Sequence, residues 1–135
     1  MPARYLLDTN TASYVIKGNV PRVREKLLRV PASDVAISVI TEAELRFGVA
    51  RLPAAKRLAA IVEEFLKFID IRQWDSAAAR QYAELRAEVE RRGRPIGNLD
   101  LMIAAHALAL GSVLVTSDRI FRRVKGLKVE DWTRL

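Results

Sequence analysis

Short apolar runs alternating with stretches of helical periodicity restrict this chain's fold more than any other feature. Arg4-Tyr5-Leu6-Leu7, Val35-Ala36-Ile37-Ser38 and Ser112-Val113-Leu114-Val115-Thr116 read as buried strands. Phe68-Ile69-Asp70-Ile71 is a further short strand, and Leu127 to Trp132 a last one. Between them, Pro21 suits the first turn of a helix whose inner face carries Val23, Leu27 and Leu28. Glu42, Leu45 and Val49 share one stripe of the next helix. Ser38 or Thr41 is placed to cap it, and Thr41-Glu42-Ala43-Glu44 has the capping-box order. Leu58, Ile61, Val62, Phe65, Leu66 and Ile69 mark another helix. Ala78, Tyr82, Leu85 and Val89 mark one more, opened by Asp75 or Ser76 and stopped at Arg91-Arg92-Gly93. After a loop at Arg94-Pro95-Ile96-Gly97, Asn98 can cap a helix from Leu99 to Leu110 that ends at Gly111, and Arg119 to Lys125 form a short basic helix. Strands alternating with helices predict a single α/β domain over residues 1–135, three-layered, with a mostly parallel sheet of about five strands.

The bulk properties narrow the chemistry. The 135 residues are long enough to bury a core, and 50% hydrophobic with 29% charged residues is a globular composition. Without cysteine and with His106 as the single histidine, thiolate sites are excluded and zinc lacks its usual nitrogen ligands; the composition suits a reducing cytoplasm. A net charge of +7 favours a polyanionic partner, most simply nucleic acid. No Asp, Glu, Lys or Arg occurs from Leu101 to Ser117, but Gly111-Ser112 divides that run into a helix and a strand, so no membrane span is expected.

On this layout the acids form a pattern. Asp8 ends the first strand, and Glu42 lies one turn into the helix after the second. Asp100 opens the helix before the fourth strand, and Asp118 stands just past that strand's end. Open parallel sheets bind ligands beyond the carboxyl ends of their strands, where the strand order reverses. With the strands ordered 3-2-1-4-5, that point falls between Asp8 and Asp118, and these acids share one sheet edge. The sequence permits this order without forcing it. Gathered carboxylates repel, and burial disfavours their charge. A hard divalent cation, Mg2+ or Mn2+, removes the conflict. Such an ion binds phosphate oxygens and makes water a better nucleophile, while surface cations hold the phosphate backbone. Each acid also has a plainer reading: Asp100 as a helix-dipole partner, Glu42 as a solvated helix residue, Asp118 as a turn residue, Asp8 as a strand end.

These residues also resemble a known family. Leu6-Leu7-Asp8-Thr9-Asn10, Ile37-Ser38-Val39-Ile40-Thr41-Glu42-Ala43-Glu44-Leu45, Leu99-Asp100-Leu101-Met102-Ile103-Ala104-Ala105-His106-Ala107-Leu108 and Val129-Glu130-Asp131-Trp132 are together similar to PIN-domain toxins of the VapC type. The resemblance covers nearly the whole chain. It implies a metal-dependent endoribonuclease that acts on RNA, is made with a silencing VapB-type antitoxin, and forms a homodimer. It also implies Asp8, Glu42, Asp100 and Asp118 as metal-binding and catalytic acids. Asp118 stands where relatives often carry Asn. Thr9, Asn10 and Thr116 are candidates to orient Asp8 by hydrogen bonds.

Lys17, Arg46, Arg119, Arg122 and Arg123 are the cations nearest this site along the chain, and candidate RNA contacts. On a helix His106 falls on a different face from Asp100, so it reads as a packing residue rather than a base. Tyr5, Phe47, Trp74 and Trp132 read as core. Two further functions stay open at this point: a non-catalytic module binding RNA or protein, and an aspartate-based phosphotransfer domain. The second lacks a companion acid beside Asp8.

Overall fold

The computed structural model describes residues 3–93 and 95–134. The elements run β1 (Tyr5–Leu7), α1 (Thr9–Lys17), α2 (Pro21–Arg29), β2 (Val35–Ser38), α3 (Val39–Ala50), α4 (Lys56–Phe68), β3 (Asp70–Arg72), α5 (Ser76–Arg91), α6 (Asn98–Leu110), β4 (Val113–Val115) and β5 (Val129–Glu130). Short 3-10 turns occupy Ala32–Asp34 and Arg119–Arg123. The strands form one sheet in the order β3-β2-β1-β4-β5, as expected, and every described pairing is parallel. Leu7 lies opposite both Ile37 and Val115, so the ends of β1, β2 and β4 are level.

Each central strand is buried on both faces, which explains why its run is continuously apolar. Tyr5, Leu7, Val35, Ile37 and Val115 pack on one side with α1, α2 and α4, where Trp132 meets the Tyr5 ring edge-on at 5.2 Å. Leu6, Ala36 and Leu114 pack on the other side with α6 and Phe121. Turn chemistry stops the helices. Gly18 and Gly111 both take φ 66°, a left-handed conformation that favours glycine, and Ser112 N–H then bonds back to the Ala107 carbonyl.

The expectations differ from the structure at element ends. Helix α4 runs through Phe68, so β3 starts at Asp70 rather than Phe68. The last strand is only Val129–Glu130, and the basic segment is a 3-10 turn ending at Arg123. Ser38, not Thr41, caps α3, its hydroxyl accepting from Ile40 N–H at 3.1 Å. Asp75 caps α5 through Ala78 N–H. Asn98 lies inside α6 instead of capping it. Arg94, expected in a loop, lies outside the described residues. Phe47, expected in the core, is exposed.

Candidate metal centre

The site begins where β1 stops. Asp8 is only 4% exposed because it sits between the ends of β1 and β4, its backbone N–H bonding to the Val115 carbonyl at 3.0 Å. Its carboxylate caps α1, accepting from Thr11 N–H at 2.8 Å. The Thr11 hydroxyl in turn donates to the Val115 carbonyl, pinning the start of α1 to the end of β4. The Thr116 hydroxyl acts on the Asp8 carboxyl and accepts from Asp118 N–H at 3.0 Å. Asp118 is exposed and caps the following 3-10 turn through Ile120 N–H.

Burial pushes the Asp8 carboxyl above its ordinary pKa of 3.8, bonds from Thr116 and Thr11 offset part of that rise, and Asp118 adds repulsion. Asp100, half-buried in the first turn of α6, is also raised above 3.8, first by desolvation and then by Glu44, Asp118 and Asp8. The charges acting on Asp100 therefore identify its neighbours. Glu44 is the acid that α3 supplies, and Glu42 is not among them.

The reason is helical geometry. Glu44 lies one turn beyond buried Thr41, on the side of α3 that faces Thr9. Thr9 Oγ1 donates to Glu44 Oε1 at 2.6 Å and lies 3.2 Å from Thr41 Oγ1, which can donate to it. Glu42 points elsewhere and bonds Arg46 Nε at 2.9 Å. Of the two α3 glutamates, Glu44 faces Thr9 and acts on Asp100, and Glu42, expected at the site, pairs with Arg46.

Other candidates also move. Asn10 is exposed and, among the described residues, makes no bond to Asp8; Thr11 does that work instead, and Thr9 serves Glu44. Arg46 is occupied by Glu42 and Glu63. Lys17 ends α1, about 13 Å of helix from the site. Arg119 is exposed beside Asp118, whereas Arg122 and Arg123 line a 720 Å³ cleft against α5 together with Lys125. His106 is buried away from the acids and bonds Ser38.

Among the described residues no three acid or imidazole groups converge into a ready-made coordination set. The donors are all carboxylates, and their shared field and raised pKa values fit a hard cation that keeps part of its water shell.

This arrangement matches known proteins. Residues 5–127 match the PIN domain family. Over 131 residues the chain is 39% identical to the tRNA(fMet)-specific endonuclease VapC of Shigella flexneri, covering 96% of this chain and 98% of that protein. The chain belongs to the VapC group of PIN-domain proteins. The DNA-bound VapBC of Salmonella typhimurium superposes with a TM-score of 0.89 at 38% identity, over 96% of this chain and 98% of that one. VapBC2 of Rickettsia felis, bound to a promoter DNA fragment, gives 0.87 at 35% over 95% and 98%. The VapC-type fold carries the expected strand order, and on it Asp100 feels the charges of Glu44, Asp118 and Asp8. Among the described residues, no helix is long and apolar enough to cross a membrane.

Proposed function

We propose that this protein is the toxin of a VapBC pair, an endoribonuclease that hydrolyses RNA phosphodiesters at the Asp8, Glu44, Asp100 and Asp118 cluster. The observation that carries this reading is the repulsion among acids gathered on one sheet edge of a VapC-type chain. A structural role does not require a buried Asp8 and a half-buried Asp100 whose charged forms are disfavoured first by burial and then by nearby acids.

Mg2+ or Mn2+ bound there would polarise the scissile phosphate and lower the pKa of an attacking water. Asp8, Asp100 and Glu44 would hold it, with Asp118 at the exposed rim. The chain's own part is orientation. Thr11 and Thr116 fix the Asp8 carboxylate, and Thr9 fixes that of Glu44. In the reaction the water oxygen bonds to phosphorus, the P–O bond to the leaving oxygen breaks, and the water proton ends on that oxygen. Arg119 and the +7 surplus attract the RNA backbone, in the cytoplasm where the substrate is made.

A VapB-type antitoxin silences the toxin, and an apolar groove supports that partner. The groove, 670 Å³ between α2 and α4, is lined by Ile16, Leu27, Leu28, Ile61, Phe65 and Phe68. Leu28 is 86% and Phe68 77% exposed, more apolar surface in one place than scattered residues explain. The reading includes a homodimer, which sedimentation of the purified chain tests.

The function is tested by incubating purified protein with structured RNA. Cleavage that requires Mg2+ and stops with EDTA supports it; undiminished cleavage in EDTA excludes the metal, and intact RNA excludes the activity.

A further inference from the structure

His106 is a buried titratable side chain that the proposed reaction does not use. It is 1% exposed on α6, and Nδ1 lies 2.8 Å from Ser38 Oγ, which is itself fully buried. Ser38 Oγ already accepts from Ile40 N–H, so its own proton is free to go to a neutral Nδ1, with the ring proton on Nε2. Nε2 has no partner of hydrogen-bonding geometry; the backbone of Gln73 acts on the ring without completing such a bond. Asp75 and Arg72 are the charged groups that act on it, and burial keeps it neutral.

Leucine would fill a similar space without the unsatisfied nitrogen but would leave the buried Ser38 proton without an acceptor, so what histidine adds here is the Nδ1 bond. Packing alone therefore does not account for histidine here. What the Nδ1 bond does is join two elements. At one end is α6, with Asp100 in its first turn. At the other is Ser38, the cap of α3, and one turn further along α3 Thr41 and Glu44 meet Thr9. Glu44 is also the acid that acts most strongly on Asp100, so like charges push these two helices apart while the bond, six residues along the chain from each acid, ties them together.

We propose that His106 is a positioning residue: its Nδ1 bond to Ser38 holds the Asp100 helix at the separation from Glu44 at which one divalent cation satisfies both carboxylates. This rests on the metal-dependent reading above.

The test uses Mn2+ titrated calorimetrically into the metal-free full chain, as wild type and as His106→Leu, His106→Gln and His106→Asn. Asparagine places Oδ1 where Nδ1 stands, whereas glutamine reaches the Nε2 position and leucine supplies no acceptor. His106→Leu and His106→Gln are expected to weaken Mn2+ binding roughly 10-fold or more, the usual scale for a residue that orients a ligand, while both variants stay folded. His106→Asn is expected to keep most of the wild-type affinity. Metal-free crystal structures are expected to show a wider Asp100–Glu44 separation in His106→Leu than in wild type. Equal affinities across the variants, or a loss in His106→Asn matching that in His106→Leu, would overturn the proposal. If His106→Leu does not fold, the contrast between His106→Asn and His106→Gln decides it. A wild-type chain that binds no Mn2+ refutes the metal reading instead, and the metal-free separation then decides the positioning role alone.

Discussion

Thr9 Oγ1 donates a 2.6 Å hydrogen bond to Glu44 Oε1, joining the first residue of α1 to the middle of α3. This bond separates Glu44 from its neighbour Glu42, whose carboxylate is held on the outer surface by Arg46. On the proposed reading, removing the Glu44 charge while keeping its shape removes a metal donor, and removing that of Glu42 does not. Glu44→Gln is expected to lower RNA cleavage on the order of 100-fold, equivalent to a few kcal/mol of transition-state stabilisation, with Glu42→Gln near wild type. Parallel single-turnover assays of the two variants check this, and a larger loss in Glu42→Gln would reverse the assignment.

Thr9 should matter less than the acid it orients. Thr9→Val keeps the volume and loses the hydroxyl, and a fall of roughly 10- to 100-fold in Mn2+ affinity or activity is expected with little change in melting temperature. Unchanged Mn2+ binding would show that Glu44 is held without it.

The pH dependence of the metal-free protein has a definite sign. Asp8 and Asp100 are raised above 3.8, so the folded state favours their protonated forms. Their contribution to stability is fully present below the unfolded value and is lost as pH rises through the folded values. Acidifying the metal-free protein from neutrality toward those values should therefore raise its melting temperature. Asp100→Asn should flatten that rise, and saturating Mg2+ should restore stability at neutral pH. Calorimetry across pH reads all three, and a profile unaltered by Asp100→Asn would remove the shared field from the account.

The apolar groove and the acid cluster lie on different parts of the fold, so they can be separated. Leu28→Asp and Phe68→Asp, at exposed positions, are expected to abolish co-purification with the VapB-type partner while RNA cleavage continues. Retained binding by both variants would move the antitoxin to another surface.

Much of the fold was legible because its signals are local. Short apolar runs, Pro21, Asp75 and Gly111 each mark an element end through nearby backbone chemistry, and the strand order was one that the placement of the acids permitted without forcing. Asp8 and Asp118 were legible for the same reason: each stands at the end of a strand. The position of Glu44 beside Thr9 was not, because Glu42 and Glu44 both fit a helix. The choice between them depends on Thr9, 35 residues away in the chain. Thr11 was missed similarly, since its bond to Val115 spans 104 residues. The brevity of β3 and β5 was hidden too, because apolar residues flanking a strand serve equally well in an adjoining helix or loop.

The central claim is that the Asp8 cluster hydrolyses RNA, and Asp8→Asn tests it most directly. Asparagine still caps a helix, so α1 and its tie to β4 are expected to survive the loss of charge. The measurement is the rate of RNA cleavage by purified Asp8→Asn and its parent at equal Mg2+, with melting temperatures compared alongside. A folded protein that no longer cuts RNA is expected; a folded Asp8→Asn that cuts as fast as its parent would contradict the role of the cluster.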